Sequence, residues 1–163
     1  MIHIQKGDLF KADVNFILHQ ANCESLMGRG MAKTIAYLYP LAEKVDNEFP
    51  YIPQERLGKY SIATIRKNDL YIVNLYGQLF RGKANSAKEQ NERYAYLKES
   101  LTLFLADLNR KQKKESRKYK VGLPYKIASD MAGGSWERVL EILLDISEKQ
   151  KIDLHIYKKE ENI

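Results

Sequence analysis

The sequence predicts an α/β fold: a three-layer α/β/α sandwich around a mixed, mainly parallel sheet, with residues 1–163 forming one domain. Three observations predict it. Short apolar or alternating runs that read as strands take turns with longer stretches of helical spacing. Hydrophobic residues make up 44% and charged residues 29%, a balance that supports one sizeable core and excludes a disordered chain. Two strand-to-helix junctions carry glycine loops, Met27-Gly28-Arg29-Gly30 and Ala132-Gly133-Gly134, as expected where an α/β sheet opens a crevice at its carboxyl edge.

The elements follow in order. Ile2 and Ile4 alternate with His3 and Gln5 as a short strand, closed by Gly7-Asp8. Val14 to Leu18 is a continuous apolar run, as in a strand covered on both faces. The first glycine loop leads into a helix over 31–38, and Pro40 bends or restarts it toward Phe49. Tyr51 to Gly58 reads as a connector. Tyr60–Ile65 and Leu70–Asn74 form a hairpin around Lys67-Asn68-Asp69, and Tyr76-Gly77-Gln78 breaks its second strand. Ser86-Ala87-Lys88-Glu89 is a capping box. The helix after it buries Tyr94, Leu97, Leu101, Phe104, Leu105 and Leu108 as a core stripe. Arg110 to Lys120 reads as a solvated loop. A strand over 119–123 opens the second glycine loop, and Ser135 caps a helix bearing Trp136, Val139, Leu140, Leu143 and Ile146. Ile152, Leu154 and Ile156 alternate as the last strand.

Charge and cysteine usage bound the function. A net charge of +6 favours an anionic partner, a phosphate ligand or nucleic acid. Cys23 is the single cysteine, so an internal disulfide is excluded and a reducing, cytoplasmic setting is expected. No apolar run reaches the length of a membrane span, and the start lacks the regions of a signal peptide, so no membrane partner is expected. No His, Cys, Asp or Glu cluster has metal-ligand spacing, so neither a metal nor a cofactor is expected.

Both glycine loops follow apolar strands and precede helices. Their N–H groups and the helix dipoles suit a phosphate, and together they could clamp a diphosphate from both sides. Asp8 lies after another strand, as a turn or cap residue or as a carboxylate accepting from a ligand N–H. Tyr76 and Gln78 lie after a fourth.

These residues resemble the macrodomain family. The resemblance rests on Gly7-Asp8-Leu9-Phe10, His19-Gln20-Ala21-Asn22-Cys23, Met27 to Ala32, Asn74 to Gln78, Leu123 to Ile127 and Ala132 to Trp136, in the family's order over nearly the whole chain. The branch it most resembles includes terminal ADP-ribose protein glycohydrolase and the yeast-type ADP-ribose 1″-phosphate phosphatase. The resemblance implies a macrodomain-like fold and an ADP-ribose site. Asp8 would accept from the adenine amino group, with Leu9 beside the ring. Asn22 and Met27, Gly28, Arg29, Gly30 and Met31 would surround the distal ribose and its phosphate. Ser129, Asp130, Met131, Ala132, Gly133 and Gly134 would hold the diphosphate.

Two departures bear on chemistry. The second loop reads Ile127-Ala128-Ser129-Asp130 where many relatives have glycines, and Ser135 replaces an aspartate. The lysine and aspartate that the terminal glycohydrolase uses fall on Gln78 and Ala132, which argues against a lysine adduct. Water attack then falls to Asp130 and His19. Asp130 has little structural reason to stand in a glycine loop, so it reads as an acid that orients or deprotonates water. His19 reads as a core histidine first and a catalytic base second. Cys23 reads as packing rather than nucleophile. The expected activity is hydrolysis of an ADP-ribose derivative, either the 1″-phosphate or an ester on protein or nucleic acid. A non-catalytic ADP-ribose reader is the alternative, and a nucleic-acid-binding domain using Arg110 to Lys120 is a third.

Overall fold

The computed structural model describes residues 1–129 and 132–160. Six strands form one sheet in the order β1-β6-β5-β2-β4-β3. They are β1 (Ile2–Lys6), β2 (Phe16–Asn22), β3 (Tyr60–Arg66), β4 (Leu70–Gln78), β5 (Val121–Pro124) and β6 (Leu154–Lys158). All neighbours run parallel except β3, which returns antiparallel along β4. The mixed sheet and flanking helices agree with the fold class expected from the sequence.

Alternation along the central strands splits the core into two layers. Phe16 and Leu18 face the long helix α4 (Ala87–Glu115) and α5 (Trp136–Gln150), together with Leu97, Leu101, Phe104 and Leu143. Ile17 and Ile72 face the other way, toward α1 (Gly30–Leu38) and α2 (Pro40–Asn47), where Ile35 and Ala42 are wholly buried. Because β1, β6, β5, β2 and β4 run the same way, the loops following Lys6, Asn22, Gln78 and Pro124 gather at one edge.

Four local expectations are corrected. β2 runs on to Asn22 and β4 to Gln78, because their parallel ladder continues to the Asn22–Gln78 pair, with a register shift at Ala21 and Asn22. Gly77 therefore does not break the strand; a Cβ there would collide with the side chain of Gln20. The connector after Pro50 holds a single turn, α3 (Pro53–Arg56), started by Pro53. The basic run from Arg110 is mostly the end of α4, not a loop. Lys111 pairs with Glu115 at 3.2 Å, Arg110 pairs with Asp107, and cations suit the negative end of the helix dipole. The last strand begins at Leu154 rather than Ile152 and lies inside the sheet, where the ring of His155 stacks on His3 at 4.7 Å. Among the described residues, no helix is long and apolar enough to cross a membrane.

Candidate functional site

A cleft of about 1110 Å³ opens where the parallel strands end. Its walls are the loops after β2, β4 and β5, with the end of α2 beneath. The loop after β2 is held by Asn22, whose Oδ1 accepts from the backbone of Glu24 and Leu26 at 3.1 and 3.3 Å while its Nδ2 donates to Leu26 O at 2.9 Å. Gly28 faces open space and Gly30 has φ +55°, a left-handed start to α1 that suits glycine. Arg29 caps that helix with no side-chain hydrogen bond, so the first-turn N–H groups are not taken by a capping oxygen.

The loop after β5 is strained. Lys126 and Ala128 both hold positive φ, 60° and 62°, conformations that cost non-glycine residues of order 1–3 kcal/mol and cluster at ligand clamps. Gly134 donates to Ala128 O at 3.1 Å, leaving no room for a Cβ. The segment is tied down by Arg93 of α4, which is 4% exposed. One of its Nη groups donates to Gly82 O at 2.6 Å and to Ala132 O at 3.3 Å, and the other to Phe80 O at 3.1 Å. One buried guanidinium thus joins the loop after β4 to the loop after β5.

Of the residues proposed from sequence, His19, Asn22, Met27, Gly28, Arg29, Gly30, Met31, Gln78 and Ala132 line this cleft. Asp130 and Met131 lie outside the described residues. Gly133 and Gly134 are not among the residues lining the cleft, and Lys83 covers Gly133. Ser129 donates its hydroxyl back to Ile127 O at 3.2 Å. Asp8 caps the single 3-10 turn Leu9–Lys11, its Oδ1 accepting from Phe10 N at 2.9 Å. Leu9 is 3% exposed and packs over Gly122, so it is a core residue. Tyr76 does not reach the cleft: it is fully buried beneath it and stacks on Phe49 at 5.1 Å.

The floor under the cleft is polar. His19 Nε2 donates to Asn74 Oδ1 at 2.5 Å. Asn74 Nδ2 donates to Ser61 Oγ at 3.0 Å and to Ala42 O at 3.3 Å. Ser61 and Tyr76 hydroxyls meet at 2.8 Å, and the Tyr76 hydroxyl donates to Asp46 Oδ1 at 2.7 Å. Arg56, 7% exposed, lies 3.7 Å from that oxygen and donates to Ser25 Oγ and to the Tyr51, Asp46 and Phe49 carbonyls. Burial pushes the Asp46 carboxyl up, against the pull of Tyr76 and Arg56. Burial lowers the His19 imidazole to about 4, so at neutral pH it is uncharged. Cys23 is 1% exposed and its thiol is pushed up to about 12, mainly by burial. Cys23 packs with Ala21 and Tyr76 in a small buried cluster.

Sequence reasoning missed the cations that matter here. Arg81, Lys83 and Lys126 join Arg29 along the cleft. Arg81-Gly82-Lys83 could have been found by the rule that picked the other loops, since a glycine between cations follows a strand. Asp46 carries no sequence signal, being one acid among several on a surface-like helix.

This architecture, with a crevice at the carboxyl ends of a mixed sheet between two glycine loops, is the macrodomain fold. A protein of unknown function from Bacteroides thetaiotaomicron superposes with a TM-score of 0.75 at 23% identity, covering 97% of this chain and 98% of that one. The macrodomain of Mycobacterium tuberculosis DarG gives 0.67 at 21% identity over 96% and 97% of the two chains. Thermosipho africanus DarTG in complex with ADP-ribose gives 0.67 at 16% identity, over 96% of this chain and 41% of that one. No family model matches the chain, and no curated protein matches it in sequence.

Proposed function

We propose that the cleft binds ADP-ribose or a derivative of it. The observation that carries this reading is the pairing of two glycine loops with four cations, Arg29, Arg81, Lys83 and Lys126, around one crevice. A diphosphate takes N–H donors and positive charge, and the uncapped start of α1 offers both. The ADP-ribose complex of the Thermosipho neighbour supports the ligand class. In this reading Asp8 meets the adenine amino group, Ser129 to Gly134 hold the diphosphate, and Asn22 with Met27 to Met31 encloses the distal ribose.

The chemistry is water attack on an ADP-ribose derivative, the 1″-phosphate or an ester on protein or nucleic acid. The task of holding the water falls to Asp130. His19 is too weak a base, because an imidazole near 4 gains little by taking a proton at neutral pH. Titration calorimetry with ADP-ribose tests binding, and single-turnover rates on ADP-ribose 1″-phosphate and on an ADP-ribosyl ester test turnover. Asp130→Ala should lose about 10²–10⁴-fold in rate with affinity kept or improved, as for a lost general base beside an anionic ligand. Tight binding without turnover of either substrate makes the protein a reader. No binding at all overturns the proposal.

A further inference from the structure

The net charge of the chain is gathered in one place. Seven of its 27 Lys and Arg residues and one of its 21 Asp and Glu residues fall within 110–120, which leaves 20 of each elsewhere. The whole excess of +6 therefore belongs to the end of α4 and the turn after it. The fold enlarges this cluster. Arg117 Nη1 donates to Asn68 O at 2.7 Å and so ties that turn to the β3–β4 hairpin, where Arg66 and Lys67 are exposed. The acids nearby are already paired, Asp69 with Arg66, Asp107 with Arg110 and Glu115 with Lys111. Lys67, Lys113, Lys114 and Lys118 are exposed and, among the described residues, form no ion pair. The helix dipole accounts for Lys113 and Lys114 in the last turn of α4, but not for Lys67 and Lys118, which lie outside it. Like charges held together without counter-charges destabilise the fold, and an anionic partner offsets that repulsion.

The rest of the patch narrows the partner. Among the described residues, no large exposed apolar side chain falls within 66–69 or 110–120. The patch thus offers neither a side chain to insert into a lipid surface nor an apolar anchor for a protein interface. Its ring is not free to stack an unpaired base, since Tyr119 is 6% exposed and lies under Arg117 at 4.4 Å. What remains is positive charge alone. That suits a phosphate backbone, and best the dense double line of phosphates on a duplex.

We propose that this end of the molecule docks double-stranded nucleic acid through its phosphates, without reading its sequence. The patch lies where β2, β4 and β5 begin, opposite the cleft, which opens where they end. Arg93, at the cleft end of α4, and Lys113 are 20 residues apart, about 30 Å along a helix. A duplex on the patch leaves the cleft open. The proposal stands on the placement of charge and is independent of what the cleft binds.

The test is fluorescence anisotropy with a labelled DNA duplex of arbitrary sequence. Four lysine–phosphate contacts give a slope near −3.6 in log affinity against log salt, so binding should weaken about a hundredfold between about 50 and 200 mM salt. The triple variant Lys113→Gln, Lys114→Gln, Lys118→Gln should bind about tenfold or more weaker, with a slope smaller by about 2.7 and ADP-ribose affinity unchanged. Arginine at the same three positions should keep duplex binding. If the triple variant does not fold, Lys118→Gln alone, outside the helix, should lower the slope by about 0.9. Duplex binding that ignores salt, or a folded triple variant that binds like the wild type, overturns the proposal. So does equal affinity for polyglutamate or for vesicles of phosphatidylserine and phosphatidylcholine, which makes the patch a site for acidic chains or anionic membranes. Loss of duplex binding in Arg29→Gln but not in the triple variant moves the duplex to the cleft and overturns it as well.

Discussion

The side chain of Lys83 lies across Gly133: a Cβ on that glycine would stand 2.8 Å from Lys83 Cγ. The glycine also has φ +79°, so two constraints meet at one position. The lysine that follows β4 can reach over the loop that follows β5 only because no side chain stands there.

Gly133→Ala should therefore cost about 1–2 kcal/mol of stability from its left-handed backbone, and should move Lys83 off the loop. Gly28→Ala is the contrast, since its Cβ meets nothing within 4 Å and its φ is not in the left-handed region. Thermal melts should separate the two, while calorimetry with ADP-ribose should show Gly133→Ala weakened. Equal stability of both variants would contradict the strain at Gly133.

Asp8 does two jobs in this reading, capping Phe10 N and meeting an adenine amino group. Asp8→Asn keeps a capping oxygen and removes the charge. It should leave stability nearly unchanged and weaken ADP-ribose binding by about 1.5–3 kcal/mol, the worth of a hydrogen bond to a charged group. A melt and a titration on the same sample check both halves. Unchanged affinity would return Asp8 to a purely structural role.

His19 makes stability depend on pH. Its folded value, about 4, lies below the ordinary 6.5, so between those values the unfolded chain binds more protons than the folded one. Stability is then full above about pH 6.5 and is lost as pH falls toward 4, by roughly 3 kcal/mol for a shift of this size. Asp46 acts with the opposite sign, because its folded value is raised and protonation at low pH favours the folded form. Urea denaturation at pH 7.5 and pH 5 should show His19→Gln losing less on acidification than the wild type. Identical pH slopes would mean that His19 is charged when folded.

Arg56 is the counter-charge to the buried Asp46 carboxylate. Arg56→Met should cost about 3–5 kcal/mol, since it leaves a buried carboxylate without its counter-charge and the Tyr51, Asp46 and Phe49 carbonyls without the guanidinium donor. The double variant Arg56→Met with Asp46→Asn should recover part of that loss. Chemical denaturation of the four proteins gives the coupling, and strict additivity would separate the two residues.

The sequence by itself determined which segments become strands and helices. The apolar stripe from Tyr94 to Leu108 and the alternation at Ile152, Leu154 and Ile156 can satisfy only one period, so the α/β class and the two glycine loops were legible from spacing. It also determined that Ser86 and Ser135 start helices, because their side-chain oxygens take nearby backbone N–H groups at N3. Element ends were decided by pairing partners far along the chain. β4 continues through Gly77 because β2, more than fifty residues earlier, lies beside it. The site was decided in the same way. Asp46 and His19 are 27 residues apart, and only the sheet brings Asn74, Ser61 and Tyr76 between them. Local spacing carries propensity and capping, whereas burial is a property of the assembled layers. The tertiary structure alone therefore turned an ordinary helical aspartate into a buried carboxylate, and put Tyr76, which reads as a cleft residue, beneath the cleft instead.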